Sequence, residues 1–514
     1  MKDLSIDPLL PSVPSTIHQL IDGWVKTSPE QNALIDSSGV WTYKDLDAAV
    51  THARNWLTSL SIRPGDRVLL VSENCRPLVA VLLAVTSLDA WPVLVNARLS
   101  AREIDNIKVH SGSRRSIFFV GASTHAAEHA ARYNAIADAP VLLGPVAVSP
   151  LNDAAEPEPV ESEPEDRIAA LIYTSGSTGL PKGVMLTHRN VLFIACNAAK
   201  IRSLTPRDRL YGVMPISHIV GLAPVLLGTL YSGASLYLVR QFDPMSARKA
   251  IETDKITVML GVPAMFNQFA EYAKLRRITR FSFPSLRILS CSGAPLHPAT
   301  KSSTEDLFGL VLHHGYGVTE ASPNIAQTRI ESPSSDLSVG PPFPGVEVKL
   351  VDGSGNTVPE GEPGELWARG PNIMRGYYRS PEETSTAVNA EGWLNTRDVA
   401  RIQDGNLYII GRTRDLIVHK GFNVYPVEVE SVLNAHPDVA QSAVIGVTID
   451  QDEEVIAFVQ LSASSSLTVG ELAAYAAQHL VMYKRPSKFI VVSSMPTTAS
   501  GKILKSELVK LLQH

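Results

Sequence analysis

Cysteine is scarce in this chain, and the few present stand alone. Cys75, Cys196 and Cys291 are the only three among 514 residues. No two have the spacing of metal ligands, and no disulfide framework is suggested. Such usage fits a reducing compartment, so the expected location is cytoplasmic. An excess of one charge is lacking too. Lys and Arg number 46 against 51 Asp and Glu, and a net charge of −5 offers no basic footprint for nucleic acid. Long apolar runs are also missing. Met1 to Ser15 holds one lysine and several prolines, without the apolar core of a signal peptide. The longest uncharged stretch, 219–239, is broken by Gly221, Pro224, Gly228, Ser232, Gly233 and Ser235. It predicts a buried helix, a turn at Ser232-Gly233 and a strand rather than an integral membrane span. The final Leu-Leu-Gln-His is not a peroxisomal address.

Hydrophobic residues make up 45% and charged residues 19%, the composition of a soluble globular enzyme. At about 100–200 residues per domain, the chain should form several units. Asp66 to Val71 reads as a buried strand, Arg76 to Leu88 as a helix, and Trp91 to Val95 as the next strand. That βαβ rhythm predicts parallel sheets with helices packed on them. Gly144 to Asp166 carries five prolines (145, 150, 157, 159 and 164) among acidic residues and reads as a surface linker. From about Val339 to Ile410 the pattern is β-rich, with alternation at Val346–Val351 and turn signals at Asp352-Gly353 and Ser354-Gly355. The last hundred residues read as a small α+β unit.

The most informative segment follows the apolar run ending at Ile172-Tyr173. It reads Thr174-Ser175-Gly176-Ser177-Thr178-Gly179-Leu180-Pro181-Lys182-Gly183. Glycines let backbone N–H groups close on an anion, hydroxyls donate to phosphate oxygens or ligate Mg²⁺, and Lys182 supplies positive charge. Pro181 stands where a Walker loop needs glycine, so this is not that motif. A flexible spacer needs neither the strand before it nor the lysine that closes it.

This segment resembles the phosphate-loop signature of adenylate-forming enzymes: acyl-CoA synthetases, adenylation domains of peptide synthetases and firefly-type luciferases. Further motifs in family order extend the likeness from about residue 15 to 510. Gly315-Tyr316-Gly317-Val318-Thr319-Glu320 is similar to the second core motif. The resemblance implies that Tyr316 stacks on adenine, Thr319 meets the α-phosphate, and Glu320, with Thr178, helps hold Mg²⁺. Ser292-Gly293-Ala294-Pro295 resembles the segment lying along adenine and the acyl pocket. Met214-Pro215-Ile216-Ser217-His218 resembles the motif whose histidine sits beside the acyl site. Trp393 to Asp398 resembles the motif whose aspartate, here Asp398, accepts both ribose hydroxyls. The residue before it is usually glycine; here it is Arg397. Arg412 matches the arginine that reaches ribose and phosphates, and Arg414 matches the hinge. His419-Lys420-Gly421-Phe422-Asn423-Val424 resembles the wall of the thiol tunnel. Pro496 to Lys502 resembles the C-terminal motif whose lysine bridges carboxylate and phosphate.

The resemblance implies an α/β fold: a large N-terminal domain of two α/β subdomains plus a β-barrel-like subdomain, then a small mobile C-terminal α+β domain. The expected limits are 1–413 and 414–514. The implied activity is an ATP-dependent carboxylic acid:CoA ligase using ATP, Mg²⁺ and coenzyme A. Acyl-AMP and pyrophosphate form first, then acyl-CoA and AMP. The small domain turns about Arg414 between the steps, withdrawing Lys502 and admitting the thiol past Gly421. His218, Val220, Gly221, Val262, Pro263, Gly293, Gly317 and Ser322 are the expected acyl pocket. Apart from His218 they are small or apolar, which suits a fatty or aromatic monocarboxylic acid. Expected partners are that acid, ATP and CoA, with no nucleic acid; a homodimer stays open. No carrier domain follows residue 514, so loading in cis is not expected. Loading a carrier protein in trans, a luciferase-like monooxygenase and an inactive nucleotide-binding protein remain the alternatives.

Overall fold

The computed structural model describes residues 13–138, 140–174, 181–420, 422–449, 452–462, 465–497 and 503–512. Arg67–Ser72 is a strand buried along its whole length, Arg76–Ser87 a helix, and Trp91–Asn96 a strand parallel to the first. A helix with ten of its twelve residues buried has no solvent face, so it must sit between other layers.

Two eight-stranded sheets provide those layers. The first runs, edge to edge, through Gly376–Tyr377, Lys182–Thr187, Ile168–Thr174, Trp91–Asn96, Arg67–Ser72, Arg115–Phe118, Val146–Val148 and Ile136–Asp138. The second runs through Asn324–Gln327, Leu312–Gly317, Ile288–Cys291, Val258–Gly261, Arg209–Gly212, Ser235–Leu238, Asn32–Asp36 and Gly39–Thr42. One buried side chain pins them together. Asn74, just past a strand of the first sheet, donates Nδ2 to the carbonyls of Gly212 (2.9 Å) and Met214 (3.0 Å). Its Oδ1 accepts from Ile216 N at 2.9 Å, so the Met214–His218 turn hangs from the opposite sheet.

The uncharged stretch does form a buried helical run, with a π-form segment Gly221–Leu227 around Pro224, then a turn at Gly233 and the strand Ser235–Leu238. Proline lacks the N–H that an α-helix would use there, and a widened turn accommodates it. Among the described residues no helix is long and apolar enough to cross a membrane. The three cysteines are all buried and unpaired with one another.

The proline-rich segment differs from a plain linker. Its start, Val146–Val148, is a buried strand of the first sheet. The remainder is a strap tied down by Arg67 Nη1 on Glu156 O (2.6 Å) and Glu158 N on Gly65 O (3.0 Å). The β-rich region is an antiparallel sheet of four strands, Glu347–Val351, Gly364–Arg369, Leu394–Gln403 and Asn406–Arg412, whose last strand bridges on to Gly340 through Leu407.

Beyond it, the hairpin Ile417–His419/Phe422–Val424 precedes helix Pro426–Asn434 and the long antiparallel pair Val439–Ile449 and Asp452–Leu461. Helix Val469–His479 and strand Lys488–Val492 complete this part, which has its own apolar cluster around Val429, Leu433, Val444, Val455 and Leu472. Its helix Pro426–Asn434 meets the larger body at His297, whose Nε2 lies 2.9 Å from Asn434 Nδ2.

His188 opens the helix after the phosphate hairpin and is 1% exposed. Its Nδ1 accepts from Ile17 N at 3.2 Å, and burial lowers its pKa to about 3. The unfolded chain takes up this proton near 6.5, so the stability linked to His188 is present above that pH and lost as pH falls toward 3. The loss should be about 1.4 kcal/mol per pH unit below 6.5. Urea midpoints between pH 7 and 5 should therefore fall, and His188→Gln should flatten the profile; an unchanged slope would refute the assignment.

Candidate active site

Parallel strands present their carboxyl ends on one side of a sheet, where ligands of such folds collect. In the second sheet, Arg209–Gly212, Val258–Gly261, Ile288–Cys291 and Leu312–Gly317 are consecutive neighbours. Their C-terminal ends therefore bring together the Met214–His218 turn, Val262, the Ser292–Pro295 segment and the Gly315–Glu320 motif. Gly317 is required by close packing: a Cβ there would stand 1.8 Å from Pro323 O. Met214, Val220 and Val262 form a small apolar cluster, and a Cβ at Gly293 would lie 3.6 Å from Val262 Cγ1. Two other expected pocket residues are closely packed. A Cβ on Gly221 would meet Pro215 O at 2.0 Å, and Ser322 is fully buried. His218 is half-buried and its Nδ1 accepts from Val220 N at 3.2 Å.

The nucleotide residues converge across two sheets. Asp398, 3% exposed, accepts from the Tyr316 hydroxyl at 2.5 Å, and Arg412 Nε lies 3.0 Å from its other oxygen. Burial first, then the charge of Asp398, raises the Tyr316 pKa well above its ordinary value, so its hydroxyl stays a donor. Burial works against the charge of Arg412, and the carboxylates of Asp398 and Asp415 outweigh it. Asp398 follows a bulge. Glu365 pairs with Val399 and Trp367 with Asn395, so Leu366 alone faces Thr396, Arg397 and Asp398. Such bulges re-aim side chains. Thr396 Oγ1 donates to Leu366 O at 2.7 Å, and Arg397 turns the chain at φ 58°. A non-glycine residue in that left-handed region bears roughly 1–2 kcal/mol of strain. The substitution of arginine for the family's usual glycine therefore keeps the glycine-like turn.

A second cluster stands at the phosphate hairpin. Thr174 and Lys182 face each other across it. Lys182 Nζ pairs with Glu383 Oε1 at 2.6 Å and lies 5.2 Å from the centre of the Tyr377 ring. Tyr377 lies on the strand next to this hairpin and donates its hydroxyl to Glu320 Oε1 at 2.7 Å. Thr319 and Glu320 occupy a single turn of 3-10 helix. Burial and then Glu320 raise the Tyr377 pKa, so this donor too persists.

Ser175, Gly176, Ser177, Thr178, Gly179, Gly421 and Lys502 lie outside the described residues. Lys420 is exposed on a tight turn, its N–H donating to Asp452 Oδ1 at 2.8 Å, and no described contact joins it to the nucleotide cluster. Sequence reasoning missed Tyr377 and Glu383. The only available cue was the aromatic pair in Gly376-Tyr377-Tyr378, which reads equally well as core.

A family model described as AMP-binding enzyme matches residues 21–378, and one described as AMP-binding enzyme C-terminal domain matches 428–502. The chain belongs to the AMP-binding enzymes. It is 36% identical over 487 residues to feruloyl-CoA synthase of Amycolatopsis sp, covering 94% of this chain and 96% of that protein. It is 31% identical over 491 residues to 4-coumarate-CoA ligase 1 of Narcissus pseudonarcissus, covering 91% and 88% respectively. Among solved structures, it superposes on o-succinylbenzoate coenzyme A synthetase of Bacillus subtilis in complex with ATP and magnesium ion with a TM-score of 0.80. That match has 29% identity and covers 96% of this chain and 99% of that one.

In this AMP-binding enzyme, Tyr377→Phe removes a half-buried donor from Glu320. It should lower stability by about 1–2 kcal/mol and weaken binding of ATP with Mg²⁺ several-fold. Urea unfolding and calorimetric titration would measure both, and unchanged ATP affinity would show that the contact does not set the posture of Glu320.

Proposed function

We propose that this enzyme is an ATP-dependent carboxylic acid:CoA ligase acting through an acyl-adenylate, with an aromatic monocarboxylic acid as its substrate. The observation that carries the reading is the pair of clusters, Tyr316–Asp398–Arg412 and Lys182–Tyr377–Glu320, joined through the Gly315–Glu320 motif. The first suits a nucleoside: Asp398 accepts ribose hydroxyls while Tyr316 offers its ring to adenine. The second suits phosphates, with Lys182 exchanging Glu383 for a phosphate oxygen.

The acid's carboxylate attacks the α-phosphorus and pyrophosphate leaves, so no protein nucleophile is needed. Two anions must meet, and the protein's task is to supply fixed positive charge and oriented donors. Lys182, Thr319, Arg412 and Lys502 fill that role, with the hydroxyls of Thr174 and of the loop beyond it. Among the described residues no group of three acidic, histidine or cysteine side chains could cage a metal. One carboxylate, Glu320, with phosphate oxygens as the remaining ligands, fits the habit of Mg²⁺, and Thr178 would be a further ligand. When bound, Mg²⁺ neutralises charge building on the phosphates.

In the second half, the CoA thiol attacks the acyl carbonyl, AMP leaves, and the thiol proton passes to solvent. The small domain, 414–514, turns about Arg414 between the halves and carries Lys420 and Gly421 toward the thiol path. The apolar wall of Met214, Val220 and Val262 offers no cation to a second carboxylate. Relatives named for feruloyl and coumarate chemistry favour an aryl over a fatty acid.

Lys502→Ala should slow adenylation by at least about a hundredfold while sparing thioester formation from supplied acyl-AMP. Equal loss in both half-reactions would remove Lys502 from its role. AMP release with ferulate should require free CoA and exceed that with octanoate about tenfold or more. A preference for octanoate would overturn the aromatic assignment, and CoA-independent turnover with a carrier protein would favour loading in trans.

A further inference from the structure

Arg397 stands out by its place beside the nucleotide cluster, in the strand bulge immediately before Asp398. It holds φ at 58°, where an L side chain is strained, and its side chain is exposed. Among the described residues no hydrogen bond or ion pair uses its guanidinium; its backbone N–H donates to Asn395 Oδ1 at 2.8 Å. The turn is held through the backbone N–H groups of Arg397 and Asp398, and none of these bonds needs the guanidinium. Strain kept at a site that the rest of the structure over-determines points to ligand contact.

Its place says which ligand. The bulge opposite Leu366 sets Arg397 immediately before Asp398, whose carboxylate holds Tyr316 and Arg412. The charge of Arg397 is felt at the Tyr377 hydroxyl, where it opposes the upward push of burial and of Glu320. Tyr377 in turn touches Glu320 and lies against Lys182. A nucleotide with its ribose on Asp398 and its terminal phosphates beside Lys182 must pass this span.

We infer that Arg397 is a phosphate-binding residue of the adenylation step, contributing a guanidinium to the polyphosphate of ATP at a position where a glycine would serve the turn alone. The inference rests on the proposed nucleotide reading of Asp398 and Lys182. A guanidinium matches phosphate geometry with paired N–H donors, and a lysine at the same place keeps the charge without the fork.

The test uses the full chain, titrated calorimetrically with ATP plus Mg²⁺ and separately with adenosine, in wild type, Arg397→Gly and Arg397→Lys. Arg397→Gly should bind ATP about tenfold more weakly and adenosine as before. It should also melt about 2 °C higher, because glycine relieves the strained φ. Arg397→Lys should keep most of the ATP affinity and gain no thermal stability. Weaker ATP binding in a more stable protein separates a ligand contact from a structural role. Unchanged ATP affinity in Arg397→Gly would overturn the inference. Equal losses for ATP and adenosine would do so too, since they would mean that Asp398 had moved. A wild type that bound neither ligand would overturn the nucleotide reading itself, and this inference with it.

Discussion

A carboxylate withdrawn from water at Asp398 holds the functional end of this chain together. Buried charge is tolerated only when donors satisfy it, and these donors come from elements far apart in sequence. Tyr316 belongs to the second eight-stranded sheet, while Arg412 and Asp398 sit on neighbouring strands of the four-stranded sheet. The carboxylate is satisfied only when those sheets dock, so the same contact that stabilises the docking also sets a carboxylate beside an aromatic ring, the pair proposed for the nucleoside. Asn74 plays the neutral counterpart on the other flank, closing three hydrogen bonds with the Gly212–Ile216 backbone.

Charge is arranged with equal economy at the phosphate hairpin. Lys182 has Glu383 as a counter-ion and Tyr377 beneath it, while the hydroxyl of Tyr377 holds Glu320. The cation and the carboxylate are thus kept apart by an aromatic spacer, although they would otherwise pair with each other. In the proposed reading, a phosphate entering between them meets the Lys182 side and the Glu320 side already separated. This ordering suits a reaction in which a carboxylate must approach a polyanion, because the protein need not reorganise its own charges during the step.

Much of this was legible in the chain. The strand at 67–72, the buried helix after it and the parallel strand at 91–96 follow from runs of apolar residues bounded by turn signals. The phosphate loop stands out because four hydroxyls, glycines and a lysine serve little purpose together except around an anion. Tyr377 was invisible for a different reason. A tyrosine between Arg375 and Arg379 carries no pattern, and its role depends on a strand of only two residues, Gly376–Tyr377, pairing with Val184 and Met185. At Gly221 the need for glycine comes from the neighbouring Pro215 carbonyl, which sequence spacing does not reveal. The strap at 144–166 reads as linker from its prolines, yet Arg67 and Gly65 hold it to the sheet.

Contiguous residues alone carried the resemblance to adenylate-forming enzymes: the 174–183 segment, the motif ending at Asp398 and the motif ending at Lys502 are each written without a break in the chain. Tertiary structure decided which of those groups meet. It placed Tyr316 on Asp398, Tyr377 between Lys182 and Glu320, and Arg397 at a left-handed turn with its side chain exposed. Sequence order cannot convey this, because hydrogen bonds and ion pairs act over a few ångströms of space, while the residues they join here lie up to about two hundred positions apart.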